Sequence, residues 1–108
     1  MDTTLHQKLE MYVTHNNFPE ERWDARGLYP SPDKVQQGMQ GAITGFVRHL
    51  QAAISTAEPG SPELTVSVQS FLDEWDIVEF DTEEREFLYD VACDIMREAR
   101  INPEHIQL

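Results

Sequence analysis

Between Ser31 and Thr56 the sequence holds one unbroken helical pattern, and that pattern constrains the fold more than any other feature. Ser31 stands before Pro32 and Asp33: a serine suited to cap, a proline preset for the first helical position, and an acid suited to the positive end of a helix dipole. Val35, Met39, Ala42, Ile43, Phe46, Leu50, Ala53 and Ile54 then fall on one arc when each residue is turned by about 100°. Gln36, Gln37, Gln40, Thr44, Arg48 and Gln51 take the other side, which reads as a solvated face. The spacing predicts a helix over Pro32–Thr56, closed by the turn Ala57-Glu58-Pro59-Gly60.

Shorter helical patterns surround it. Thr4 with Gln7 makes a capping-box start for a helix over Thr4–His15, with Leu5, Leu9, Tyr12 and Val13 inward and Asn16-Asn17 as its stop. Phe18 to Trp23 reads as a short helical turn with Pro19 at its first position, ended by Gly27 and Pro30. Ser61-Pro62-Glu63 repeats the start signal of Ser31. After it, Leu64, Val66 and Val68 alternate as a strand would, but Leu64, Val68, Phe71, Leu72 and Trp75 fit a helix over a longer window, and the cap favours helix. Asp76 to Phe80 reads as a connector with Ile77, Val78 and Phe80 tucked inward. Asp81 with Glu84 caps a last helix over Thr82–Arg100, whose inward residues are Phe87, Leu88, Val91, Ala92, Ile95, Met96 and Ala99; Asn102-Pro103 stops it. The expected fold is all-α, a small four-helix bundle with short connections and a single domain over residues 1–108.

Composition agrees and narrows the function. A chain of 108 residues supports one domain with one modest core. Its hydrophobic fraction of 40% and charged fraction of 26% are those of a globular protein. Twenty acids against eight bases give a formal charge of −12, which argues against nucleic acid or an anionic membrane as partner, because both are bound through Lys and Arg. A single cysteine, Cys93, closes no intrachain disulfide, and the start carries neither a basic nor an apolar leader segment. The expectation is a reduced, cytoplasmic protein.

The charge is unevenly placed. Residues 1–54 hold six acids and five bases, net −1; residues 55–108 hold fourteen acids and three bases, net −11. Asp73, Glu74, Asp76, Glu79, Asp81, Glu83, Glu84 and Glu86 crowd one stretch with Arg85 as its only base, and Trp75, Ile77, Val78 and Phe80 stand among them. Glu83, Glu86, Asp90 and Asp94 continue as a stripe along the last helix. This pattern suits electrostatic docking of a cationic protein, with an apolar centre near Trp75 and Phe80, and it equally suits a solubilising face with capping acids; the register of Trp75 with Leu64, Val68 and Phe71 favours a buried knob over an interface anchor. The candidate partner-binding residues are therefore Asp73, Glu74, Trp75, Asp76, Glu79, Phe80, Asp81, Glu83, Glu86, Asp90 and Asp94.

Other chemistry finds less support. His6, His15, His49 and His105 lack the spacing of a zinc site; His49 reads as a packed histidine, and the acids near Cys93 raise rather than lower a thiol's pKa. No catalytic constellation is present, and no cofactor or metal is expected. The nearest enzymatic reading is a Mg²⁺-dependent all-α nucleotide phosphohydrolase using Glu83, Glu86, Asp90 and Asp94, but the second acidic helix such enzymes use is missing. Gly38, Gly41 and Gly45 line one side of the long helix and suit the close approach of another helix, from this chain or from a second copy in a homodimer.

Two stretches carry a resemblance. Gly27-Leu28-Tyr29-Pro30, ahead of the long helix, and Asp81-Thr82-Glu83-Glu84-Arg85-Glu86, reaching on to Ile95-Met96, resemble a family of small bacterial proteins whose function is unknown. The resemblance covers most of the chain and implies no activity; the family's glycine-containing segment after the last helix has no counterpart here. At the level of class, small size, acidity and helical character are similar to bacterial immunity proteins that plug cationic toxin domains. The expected function is an acidic binding protein that neutralises or regulates a basic partner, with an oligomerising helical protein as the alternative.

Overall fold

The computed structural model describes residues 3–107. Four helices pack together: α1 (Thr3–Thr14), α3 (Asp33–Ala53), α4 (Pro62–Asp73) and α5 (Thr82–Glu98), with a short helix α2 (Glu20–Ala25) between α1 and α3 and a 3₁₀ turn at Pro103–His105. No strand occurs among the described residues, and the segment 64–70 that alternates like one is helical. The long helix is the hub, contacting α1, α4 and α5, while α1 also touches α5. Its Met39, Ile43, Phe46, Val47 and Leu50 are buried with Leu64 and Val68 of α4 and with Phe87, Leu88, Val91, Ile95 and Met96 of α5.

Two further aromatics complete this core from the first connection. Phe18 and Trp23 set their rings edge-on to Phe87 at 4.8 and 4.9 Å, and the Trp23 indole N–H donates to the Phe18 carbonyl at 3.1 Å. Burying such rings drives association only if their polar atoms are satisfied, which this hydrogen bond does for Trp23. The short α2 is thus pinned onto α5 by its aromatic residue.

The helix ends follow the expected signals with shifts of a few residues. Asp81 and Glu84 form a complete capping box on α5: the Asp81 carboxylate accepts from the Glu84 N–H at 2.8 Å and the Glu84 carboxylate from the Asp81 N–H at 2.9 Å. Ser61 caps α4, its hydroxyl oxygen accepting from the Leu64 N–H at 3.2 Å. Ser31 does not cap α3. Pro32 occupies that position, and the Ser31 hydroxyl instead donates to the carboxylate of Glu84. Thr4 lies inside α1 rather than at its cap, and α3 stops at Ala53, α4 at Asp73 and α5 at Glu98, each short of the expected end.

The glutamine side of α3 is a correction of larger consequence. Part of it meets α1: Gln37 and Arg48 are exposed, but Gln40 and Gln51 turn to that helix rather than to solvent. Gln51 is buried, and Gln40 donates to the carbonyls of Tyr12 at 2.9 Å and His15 at 3.2 Å while its oxygen accepts from both the backbone and side-chain N–H groups of Asn17. These carbonyls lie at the C-terminal end of α1, where no intrahelical donor remains. Arg48 and Gln51 reach Glu10 across the same seam. The opposite flank carries the glycines. Gly38 is covered by the Phe80 ring, 3.3 Å from where a Cβ would sit, whereas Gly41 and Gly45 face open space, so among the described residues no helix makes the close approach their spacing suggests.

Candidate protein-binding surface

The candidate surface is built on the connector between α4 and α5. Its backbone is folded on itself, the Ile77 N–H donating to the Trp75 carbonyl at 3.0 Å and the Phe80 N–H to the Ile77 carbonyl at 3.2 Å. Ile77 and Phe80 are buried and tie the connector to the core. Trp75 lies half-buried against Phe46, Phe71 and Tyr89, and its indole N–H donates to the Ala42 carbonyl of α3 at 3.3 Å. Anchored this way, the connector turns Glu74, Asp76 and Glu79 outward.

Two expectations change. Phe80 is no part of an exposed apolar centre, since it is buried over Gly38. Val78, expected to tuck inward, is 79% exposed instead. The two are linked: in a short turn held by Ile77 and Phe80, the residue between them has no core left to enter. The apolar element among the acids is therefore Val78, with the partly covered edge of Trp75 behind it.

The acids divide into three groups. Asp73 accepts from the Gln69 side-chain N–H at 2.9 Å, and Asp81 is committed to its capping box. Asp90 and Asp94 are neutralised: Arg26 binds Asp90, Arg22 lies 3.6 Å from Asp94, and Arg97 donates to Asp94 at 3.1 Å. Arg22 of α2 and Arg26, the residue after that helix, also lie over the Phe87 ring, at 5.3 and 4.8 Å from its centre. Glu74, Asp76, Glu79, Glu83 and Glu86 are exposed and in no ion pair among the described residues. The uncompensated charge thus lies on the connector and the first turns of α5, not along the whole stripe.

The groups considered for catalysis are placed as follows. Among the described residues, no three His, Cys, Asp or Glu side chains come together as a metal ion would need. His49 stacks on Phe71 at 4.8 Å with its Nε2 3.0 Å from the Ser67 hydroxyl, a packed histidine. Burial pushes the Cys93 thiol above its ordinary pKa; Arg97 opposes this and Asp90 and Asp94 add to it. No described helix is long and apolar enough to cross a membrane.

Sequence reasoning gave no role to Tyr29, which is the most exposed large hydrophobic side chain of the described residues. Its only signal was its place between Gly27 and Pro30, residues that interrupt helices. In comparisons with family models, curated proteins and solved structures, none matches the chain.

Proposed function

We propose that this chain is an acidic binding protein that neutralises or regulates a basic protein partner, in the manner of an immunity protein acting on a cationic toxin domain. The observation that carries this reading is the connector: Val78 stands 79% exposed among Glu74, Asp76 and Glu79, on a backbone fixed by buried Ile77 and Phe80. Unpaired carboxylates on a rigid turn attract a cationic surface over distances set by ionic strength, and an exposed aliphatic group beside them gives the docked complex a dry contact. Like charges so close repel one another in the free protein, and a cationic partner that supplies counter-charges relieves that repulsion on docking.

The test is direct. The chain is used to capture proteins from its native host at low and high salt, and the captured partner is measured against the variant Glu74→Lys/Asp76→Lys/Glu79→Lys. A basic protein retained only at low salt, with its association rate reduced at least tenfold by the variant, is the expected result. Unchanged rate and salt dependence in the variant would remove this surface from consideration. A second reading, self-association through α3, is favoured by the open space over Gly41 and Gly45. A strict monomer in sedimentation at micromolar concentration overturns it.

A further inference from the structure

The segment joining α2 to α3 holds an aromatic ring in water by construction. Gly27 turns the chain with a φ of +72°, and the Leu28 N–H donates to the Trp23 carbonyl at 3.0 Å while its side chain packs on the core. On the far side, the Ser31 hydroxyl donates to Glu84 and the Ser31 carbonyl accepts from the Gln36 side chain at 2.7 Å. Pro30 and Pro32 each fix their own φ. Between these braces Tyr29 is 96% exposed. An exposed ring on a loose loop costs nothing to explain; one presented by a braced segment is already ordered for contact, which lowers the entropic cost of binding.

Tyr29 lines two recesses. One is walled by Glu20, Glu21 and Asp24 of α2, the other by Asp81, Glu83 and Glu84 at the start of α5. No Lys or Arg lines either recess; Glu84 is buried with both oxygens taken and Asp81 caps α5, which leaves Glu20, Glu21, Asp24 and Glu83 exposed and in no ion pair among the described residues. Arg22 on the same short helix and Arg26 at its end are occupied at Asp94 and Asp90. A planar cation suits this arrangement best, because a guanidinium stacks on an aromatic face and binds carboxylates through paired N–H groups.

We propose that Tyr29 and the two acidic recesses beside it form the docking point for an extended arginine-rich segment of the basic partner, one guanidinium lying on the ring and its neighbours entering the recesses. This rests on the acidic-binding reading above and names the chemistry of the partner and the place of its anchor, which is distinct from the connector at Glu74–Glu79.

The probe is the peptide acetyl-Gly-Arg-Gly-Arg-Gly-Arg-Gly-amide, titrated at low ionic strength into the isotopically labelled full chain and followed by backbone amide shifts, with the Glu-for-Arg peptide as control. Shifts confined to residues 20–31 and 81–86 are expected, with none from the control. Tyr29→Ala weakens binding about fivefold, the loss expected when a cation leaves an exposed ring, and Tyr29→Phe restores it. Because the ring lies in water, the variant keeps its fold, which the same spectra verify. Binding centred on residues 74–79 and unaffected by Tyr29→Ala overturns the Tyr29 anchor while the acidic-binding reading stands. No binding of the arginine peptide to any part of the chain overturns the Tyr29 site, and the acidic-binding reading is then decided by the capture experiment at low and high salt alone.

Discussion

Glu10 is a surface carboxylate with three donors on it. Arg48 gives two, at 2.6 and 3.2 Å, and Gln51 gives one at 3.0 Å. The Arg48 hydrogen bond first, then that of Gln51, hold the carboxyl at about 2, against an ordinary value of 4.5. A folded pKa below the unfolded one means that the stabilisation is present above 4.5 and is lost as pH falls toward 2. The Glu10→Gln variant therefore has a lower urea midpoint than the parent at pH 7, and the gap closes progressively below 4.5 until the two coincide near the folded value of about 2. A gap that stays constant across that range would show that the carboxylate's charge contributes nothing. None of this seam was legible in the sequence. Periodicity sorts residues by polarity, and the amides of Gln40 and Gln51 count as polar whether they meet water or the carbonyls of a neighbouring helix.

At the scale of elements, the sequence was most readable where a local signal meets no tertiary competitor. Ser61-Pro62-Glu63 and Asp81 with Glu84 start their helices as their chemistry requires. Ser31-Pro32-Asp33 carries the same signal and behaves otherwise, because Glu84 spends one carboxylate oxygen on its own capping box and its other oxygen takes the Ser31 hydroxyl. A local code cannot report a partner more than fifty residues away, here at a separation of 53. The end of α5 shows the reverse situation, a motif without its preferred residue. The Ile101 N–H donates to the Met96 carbonyl at 2.9 Å and the Arg100 N–H to the Arg97 carbonyl at 3.0 Å, a Schellman closure, yet Arg100 sits at φ 62° where glycine is favoured. Arg100→Gly is expected to stabilise the fold by about 1 kcal/mol. Gly41→Ala is expected to do the same by about 0.8–1 kcal/mol, since an added methyl group meets nothing and the helix gains propensity. Thermal unfolding checks both, each as a rise in Tm of about 4–8 °C. A fall for Gly41→Ala alone would indicate that a second copy packs on that face of α3.

At the scale of the whole molecule, the charge imbalance read along the chain is rearranged by the fold. The nearly neutral first half lends Arg22 and Arg26 to Asp94 and Asp90 of the acidic half, and sets Glu20, Glu21 and Asp24 beside Tyr29, across from Asp81 and Glu83. Linear sequence located the acids but not which of them keep their charge uncompensated, because that depends on where α2 lands. This division decides how salt acts on stability. The ion pairs are exposed, and pairs of that kind are each worth about 0–1 kcal/mol, an attraction that salt weakens. Against them stands the mutual repulsion of a chain with a formal charge of −12, which salt also weakens as the screening length falls from about 10 Å at 0.1 M to about 3 Å at 1 M. With Glu74, Asp76, Glu79, Glu83 and Glu86 close in sequence and unpaired, repulsion is the larger quantity. Raising NaCl from low concentration to about 0.5 M should therefore raise the urea midpoint. In Glu74→Gln/Asp76→Asn/Glu79→Gln, which removes three of these charges at exposed positions, the rise should be smaller and the starting stability higher. A midpoint that falls with salt would place the ion pairs of α2 and α1 above the acidic connector in the energetics of the fold, and would leave the connector's carboxylates no longer in need of a partner's charge.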